Sequence, residues 1–280
     1  MKILVVGDTI LDIYTYVSVD RVSPEGPFLI ADYLTEDHVL GGACNVAANI
    51  RTLLKDKDVK IDYFGFYSLE IQNLLLKYKI DCIGIPVKEN EILKKQRFVC
   101  DKHQLIRVDN RKLYDSNNVN WLRYKPPIFD DYDIIVVSDY DKGTLKEEEF
   151  KTLGETSSFK IIDLKRVRSN MRFLPKCILK CNSKEFISNL HILGIGPEIV
   201  VTNGGEGYFL PLTNEKFSRA NIDGEVIDVV GAGDVFLAGM SVNFLETGCF
   251  DIYDMSAFGN KCAGEKVKHF GTVALDRGLI

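Results

Sequence analysis

Three things are scarce in this 280-residue chain, and each scarcity removes a class of function. Positive charge is not in surplus: 35 Lys and Arg stand against 40 Asp and Glu, a net charge of -5. A nucleic-acid partner usually demands a basic excess, so none is expected here, although a few local lysines can still hold one small anion. No apolar run approaches the ~20 residues of a membrane span, so no membrane partner is expected. The start, Met1-Lys2-Ile3-Leu4-Val5-Val6-Gly7-Asp8, is too short an apolar run for a secretory leader and meets an acid at once. A cytoplasmic location is the expectation. The seven cysteines are an odd number and scattered. Cys177 and Cys181 alone lie close, with no neighbouring histidine, which is a poor zinc spacing. Reduced, buried thiols are the plain reading. The P-loop pattern Gly-x4-Gly-Lys-[Ser/Thr] and the protein-kinase motifs are absent too.

The remaining composition, 46% hydrophobic and 27% charged, is that of an ordinary globular chain. Short apolar runs recur at 2–7, 61–66, 134–137, 159–162, 178–180 and 199–202. Helix-like segments lie between several of them, at 43–54, 145–153, 183–193 and 232–246. Strands alternating with helices predict an α/β fold with a mostly parallel sheet covered on both faces. Ligands in such folds sit at the carboxyl ends of the strands. Two stretches, about 13–33 and 92–109, alternate polar and apolar residues without a helical period. They read as antiparallel strands outside the main sheet, a small lid from two insertions. With no flexible linker, repeat or low-complexity tract, residues 1–280 are expected to form one domain with that lid.

Four glycine-marked or polar junctions could carry chemistry. In Asp228-Val229-Val230-Gly231-Ala232-Gly233-Asp234, glycines precede an apolar helix, a setting in which backbone N–H groups and the helix dipole hold an anion. An acid inside such a site suits a general base that deprotonates a hydroxyl during phosphoryl transfer. A Gly-rich turn with an Asp cap explains the same residues. Gly41-Gly42-Ala43-Cys44-Asn45 also enters a helix, with Asn45 placed to bond a polyol or simply to follow a tight turn. Asn182 and Glu185 share one helix face and could hold a hydrated Mg²⁺. On local grounds an N-cap and capping-box pair is the better reading of them. Thr202-Asn203-Gly204-Gly205-Glu206-Gly207 lets backbone approach a nucleotide, or makes a hairpin turn.

Taken in order, Gly7-Asp8, Gly-Gly-x-x-Asn, Asn-x-x-Glu, Thr-x-Gly-Gly-x-Gly and Gly-Ala-Gly-Asp resemble the ribokinase (PfkB) family of carbohydrate kinases over nearly the whole chain. The resemblance narrows at Gly7–Asp12, Arg21–Pro27, Gln104–Asp109 and Ser138–Gly143, which look like D-glycero-β-D-manno-heptose 7-phosphate kinases. It implies a ribokinase-like three-layer α/β/α fold and an ATP- and Mg²⁺-dependent transfer to the anomeric hydroxyl of the heptose 7-phosphate, giving the 1,7-bisphosphate. The family pattern also allows a monovalent cation. A second, nucleotidyl-transferring domain, found in bifunctional relatives, is not expected within these 280 residues. A homodimer joined through the lids is implied as well.

By position, the resemblance makes Asp234 the base and Gly231, Ala232 and Gly233 the anion hole. Asp8, Asp12, Gly41, Gly42 and Asn45 would hold sugar hydroxyls. Lys95, Arg97, Arg107 and Lys142 are candidates for the 7-phosphate. Asn182 and Glu185 would organise Mg²⁺ and the ATP phosphates; Thr202, Gly205, Gly207 and Asn260 would line the nucleotide; Asp163 and Lys165 would add to the phosphate region. Two departures stand out: Val229 where the family carries threonine, and Leu164 where it often carries proline. They keep open a kinase for another phosphosugar and a catalytically weak binding relative.

Overall fold

The computed structural model describes residues 1–280 except 56, 111–113, 115–128, 167–173, 175, 190–197, 212–217 and 221. The chain starts with β1 (Lys2–Gly7), β2 (Thr9–Val22), β3 (Leu29–Gly42) and α1 (Ala43–Leu53). Next come β4 (Lys60–Phe64), β5 (Phe66–Tyr67), α2 (Leu69–Lys77), β6 (Asp81–Cys82), β7 (Ile85–Pro86), β8 (Leu93–Cys100) and β9 (His103–Asp109). The second half carries β10 (Ile134–Asp139), α3 (Glu147–Glu155), β11 (Phe159–Leu164), β12 (Cys177–Asn182), α4 (Ser183–Asn189), β13 (Glu198–Thr202) and β14 (Tyr208–Phe209). It closes with α5 (Ala232–Thr247) and α6 (Ile252–Lys266).

Eight strands form the central sheet in the order β14-β13-β12-β11-β10-β1-β4-β6, parallel throughout except for the β13–β14 edge pair. Side-chain alternation along these strands feeds two separate cores. Ile3, Val5, Val136 and Ile161 pack with α1, α2, α5 and α6, while Leu4, Val6, Val137 and Ile162 pack with Phe150 and Leu153 of α3 and with Phe186 of α4. Both faces are thus covered, which is why β1 and β10 are apolar without alternation. The fold is three layers of α/β/α around a mostly parallel sheet.

A second sheet, in the order β3-β2-β8-β9, stands apart from the first. Its strands differ from the sequence expectation in two ways. The first insertion runs from Thr9 to Gly42, longer at both ends than 13–33, because β2 leaves β1 directly and Thr9–Thr15 are buried like core strand. The two hairpins are antiparallel within themselves, but β2 and β8 pair in parallel. Hairpin turns set direction locally; the pairing of two insertions separated by α1 and α2 is free of that constraint.

Helix α5 crosses α6 at glycine. A Cβ on Gly239 would lie 2.9 Å from the Gly259 Cα, and one on Gly259 would lie 2.7 Å from the Phe236 carbonyl oxygen. Small residues there let the two backbones meet and hold the N-terminus of α5 against the sheet. No helix among the described residues is long and apolar enough to cross a membrane.

Candidate active site

The carboxyl ends of the parallel strands converge on the N-terminus of α5. Gly231 caps that helix in the left-handed region at φ 78, and Ala232, Gly233 and Asp234 form its first turn. Asp234 is 4% exposed and meets two donors: the Tyr140 hydroxyl at 2.7 Å on Oδ1 and the Asn45 amide at 2.9 Å on Oδ2. Burial pushes the Asp234 carboxyl up to about 6, against the pull of the Tyr140 and Asn45 hydrogen bonds. Asp163 adds to the rise and Lys180 opposes it. A carboxylate so placed is basic enough to accept a proton from an alcohol as the alcohol oxygen attacks phosphorus, and remains mostly ionised at neutral pH.

Asn45 is itself held in place. Its Oδ1 accepts from Asn49 Nδ2 at 2.8 Å, and Asn49 Oδ1 accepts the Leu275 N–H at 2.9 Å. Tyr140 is flanked by two ammonium groups, Lys165 Nζ at 4.8 Å and Lys95 Nζ at 5.2 Å from its ring centre. Burial lowers the Lys95 pKa, partly offset by Asp12 and Asp234.

The polar residues of the first motif are committed to the scaffold. Asp8 is fully buried, and its carboxylate accepts the backbone N–H groups of Tyr140 at 2.8 Å, Lys142 at 3.0 Å and Thr144 at 3.2 Å. It therefore fixes the loop that presents Tyr140. Asp12 is bonded to the buried Arg97 guanidinium and to the Thr272 hydroxyl at 3.2 Å. The glycine pair follows from these acids: a Cβ on Gly41 would sit 2.3 Å from Asp12 Oδ2, and one on Gly42, at φ 58, 2.4 Å from the Asp8 carbonyl.

Two cavities meet at Thr202 and Gly233. The polar one, about 290 Å³, is lined by Ser138, Asp139, Tyr140, Asp163, Lys165, Lys180, Asn182 and Glu185. In it Lys180 pairs with Asp163 at 2.6 Å and lies beside Gly233. Asn182 and Glu185 make the reciprocal capping box, with Asn182 N–H on Glu185 Oε2 at 2.8 Å and Glu185 N–H on Asn182 Oδ1 at 2.9 Å. Burial raises the Glu185 pKa. Among the described residues no three metal-ligating acids, histidines or cysteines cluster. A Mg²⁺ that enters with a nucleotide fits this donor set only with water and phosphate oxygens completing its shell.

The other cavity, about 270 Å³, is largely apolar, with Ala220, Ile222, Val226, Val229, Phe236, Ala263 and Val267 among its walls, beside Gly205, Gly207 and Asn260. Gly207, at φ 89, has no room for a Cβ, which would fall 1.8 Å from the Ser218 carbonyl. Asn260 donates to the Arg219 carbonyl at 2.8 Å and so anchors one wall. An apolar slot opening onto a lysine-lined polar pocket is the shape of a base beside its phosphates.

The structure thus brings Ala232, Gly233, Asn182, Glu185, Thr202, Gly205, Gly207, Asn260, Asp163 and Lys165 to the walls of these two cavities, with Asp234, next to Gly233, bonded to Asn45 and to Tyr140, over whose ring Lys95 lies, and Gly231 at the cap of the same helix. Arg107 is elsewhere: it lies exposed on β9, paired with Asp109. Lys142 contributes its backbone N–H to Asp8. Tyr140, Lys180, Asn49 and Thr272 carry site geometry without having been singled out. Tyr140 lies inside the Ser138–Gly143 segment, and Lys180 lies two residues before Asn182 on the same strand; both signals were visible but had no local mark of function.

Tyr140→Phe removes a donor to the ionised form of Asp234, so the carboxyl becomes harder to ionise. The acidic limb of kcat/KM is expected to start near pH 6 in the parent chain and to move to higher pH in the variant. A pH–rate profile that stays put or moves down contradicts the assigned contact.

The comparisons agree with this geometry. Residues 180–277 match the pfkB family of carbohydrate kinases. The chain is 28% identical over 301 residues to the bifunctional protein HldE of Haemophilus influenzae strain PittEE, covering 97% of this chain and 61% of that protein. It therefore spans about 61% of the length of that relative. Ribokinase from Giardia lamblia superposes with a TM-score of 0.73 at 16% identity, over 99% of this chain and 97% of that one. Arabidopsis thaliana ribokinase, solved with ribose and ATP, superposes at 0.70 and 18% identity, over 99% and 96%. The match at residues 180–277, which holds Asp234, the 28% identity to HldE along nearly the whole chain and the shared ribokinase fold make this chain similar to the pfkB family of carbohydrate kinases.

Proposed function

We propose that this chain uses ATP to phosphorylate the anomeric hydroxyl of D-glycero-D-manno-heptose 7-phosphate, yielding the 1,7-bisphosphate. The observation that carries the reading is Asp234: a buried carboxyl at a helix N-terminus, pushed up to about 6, between two donors and next to a lysine-lined cavity. The heptose assignment rests on the segments Gly7–Asp12, Arg21–Pro27, Gln104–Asp109 and Ser138–Gly143 and on the likeness of 97% of this chain to part of HldE.

In this reading residues 1–280 act as one kinase domain. The apolar cavity takes the adenine, and Lys180, Lys165 and the first turn of α5 face the phosphates. Asp234 accepts the proton of the attacking hydroxyl while those cations and N–H groups stabilise the charge moving with the phosphoryl group. Asn182 and Glu185 bear on the hydrated Mg²⁺, which offsets phosphate charge when bound. Lys95, inward on β8 beside Tyr140, is the cation best placed for the sugar phosphate. Asn45 and the Asp12–Arg97–Thr272 group border the sugar end. The lid sheet excludes water as the substrates close in. Its exposed Leu29, Tyr33, Leu34, Leu105, Ile106 and Val108 offer an apolar surface for a second copy.

A panel of acceptors with ATP tests the substrate: heptose 7-phosphate, fructose 6-phosphate, ribose and a nucleoside, read as ADP formed. Heptose 7-phosphate is expected to give the highest kcat/KM. Equal or better turnover of another phosphosugar moves the assignment to that sugar, and sugar binding without ADP from any acceptor makes the chain a binding relative.

A further inference from the structure

Lys266, at the end of α6, is fully buried, yet among the described residues no carboxylate comes within ion-pair distance of its ammonium. Its Nζ instead donates to two backbone carbonyls, Asp228 at 2.9 Å and His269 at 3.1 Å. A buried charge held only by carbonyl dipoles is costly, and an apolar side chain of that length would fill the space with less penalty. The charge therefore needs a reason, and its partners supply one.

The Asp228 carbonyl belongs to the strap that leads into the anion-hole turn, and the His269 carbonyl to the loop after α6 against which that strap is bonded. The N–H groups of Ile227 and Asp228 donate to the Val267 carbonyl at 2.7 and 3.0 Å. The Asp228 carboxylate accepts the Val230 N–H at 3.0 Å and the Gly271 N–H at 2.9 Å. Thr272, next along, reaches Asp12. Gly264 and Val267, on either side of Lys266, line the apolar cavity. The ammonium thus sits where the turn before Gly231, the nucleotide cavity and the sugar end are joined.

We propose that the Lys266 ammonium is a built-in cation that holds the Asp228–Gly231 turn in the conformation α5 needs to receive the nucleotide phosphates. Lys266 is a positioning residue in this account, acting through the turn, and the proposal rests on reading Gly231–Asp234 as the phosphate end. Burial lowers the Lys266 pKa to about 8, with Asp228 opposing, so the ammonium form prevails at neutral pH. The other charged groups nearby are already engaged: Glu265 with Lys268 and His269, and Arg97, whose field reaches Asp228, with Asp12. The cation that the two carbonyls see is therefore Lys266.

The test compares wild type, Lys266→Met and Lys266→Ala by calorimetric titration with ATP and Mg²⁺, in choline chloride and in ammonium or potassium chloride. Wild type should bind equally in all three salts. Lys266→Met keeps the bulk without the charge and should lose about tenfold in affinity in every salt, the size of a charge-assisted hydrogen bond. Lys266→Ala leaves a hole facing the two carbonyls and should recover affinity when ammonium or potassium fills it. Unchanged affinity in Lys266→Met, or loss without salt rescue in Lys266→Ala, overturns the proposal. If neither variant folds, the wild-type comparison decides: a requirement for added potassium or ammonium overturns it, and indifference to salt supports it. If wild type does not bind ATP at all, it is the kinase reading that fails.

Discussion

Asp234→Asn is expected to lower kcat by about 10²–10⁴-fold, the usual worth of a positioned general base, while ATP binding survives. The variant is nearly isosteric, and its Oδ1 can still accept from Tyr140. What it loses is the ability to take a proton, and the acceptor for the Asn45 amide, whose own orientation is fixed by Asn49. Stability should not fall with activity. In the folded chain the Asp234 carboxyl is pushed up to about 6 from its ordinary 3.8, so the fold holds the proton more tightly than the unfolded chain does. Stability from this group therefore rises as pH falls toward 4, and the ionised form weighs against folding above pH 6. A neutral amide removes that burden, so the melting temperature at pH 7.5 should be equal or higher. Near-normal turnover in a folded Asp234→Asn variant contradicts the base assignment.

Lys180→Met carries the second largest expected effect. Lys180 is a nearly buried ammonium in the polar cavity, 2.6 Å from Asp163 and beside Gly233 at the start of α5. Removing it deletes a charge-assisted contact to the phosphates, worth about 1.5–3 kcal/mol, or roughly ten- to a hundredfold in kcat/KM for ATP. It also leaves the Asp163 carboxylate facing those phosphates with no counter-charge. The double variant Lys180→Met/Asp163→Asn should therefore recover part of the loss, a positive coupling readable in a double-mutant cycle. Strictly additive losses would mean that Asp163 and Lys180 do not act as a pair in the phosphate pocket.

Much of the fold was legible because the parallel strands lie between two helix layers. Ile3–Val6 and Ile134–Val137 are buried on both faces, so their apolar runs stand out from any background. Helix α6 was less legible: it has glycines at 259 and 264 in its interior, and Gly259 is there because α5 packs across it. The start of the first insertion, residues 9–12, does not read as lid because it is buried like core strand.

The site divides in the same way. Gly231–Asp234, Gly41–Asn45 and Thr202–Gly207 announce themselves by glycines that the backbone needs. The contacts of the Asp234 carboxylate, from Tyr140 and Asn45, join segments 94 and 189 residues away in sequence and leave no local signature. Asp8 and Arg107 show the converse. An acid after a strand and an arginine on a lid strand both look like ligands, yet one carboxylate is consumed by three backbone N–H groups and the other side chain by Asp109.

The most direct test of the whole account is phosphorus NMR of the product formed from ATP and heptose 7-phosphate by the wild-type chain, with Asp234→Asn alongside. A new anomeric phosphate signal growing with ADP, and absent with the variant, is the expected result. ADP formed without a phosphate on the anomeric oxygen, or the same product from Asp234→Asn, would contradict it.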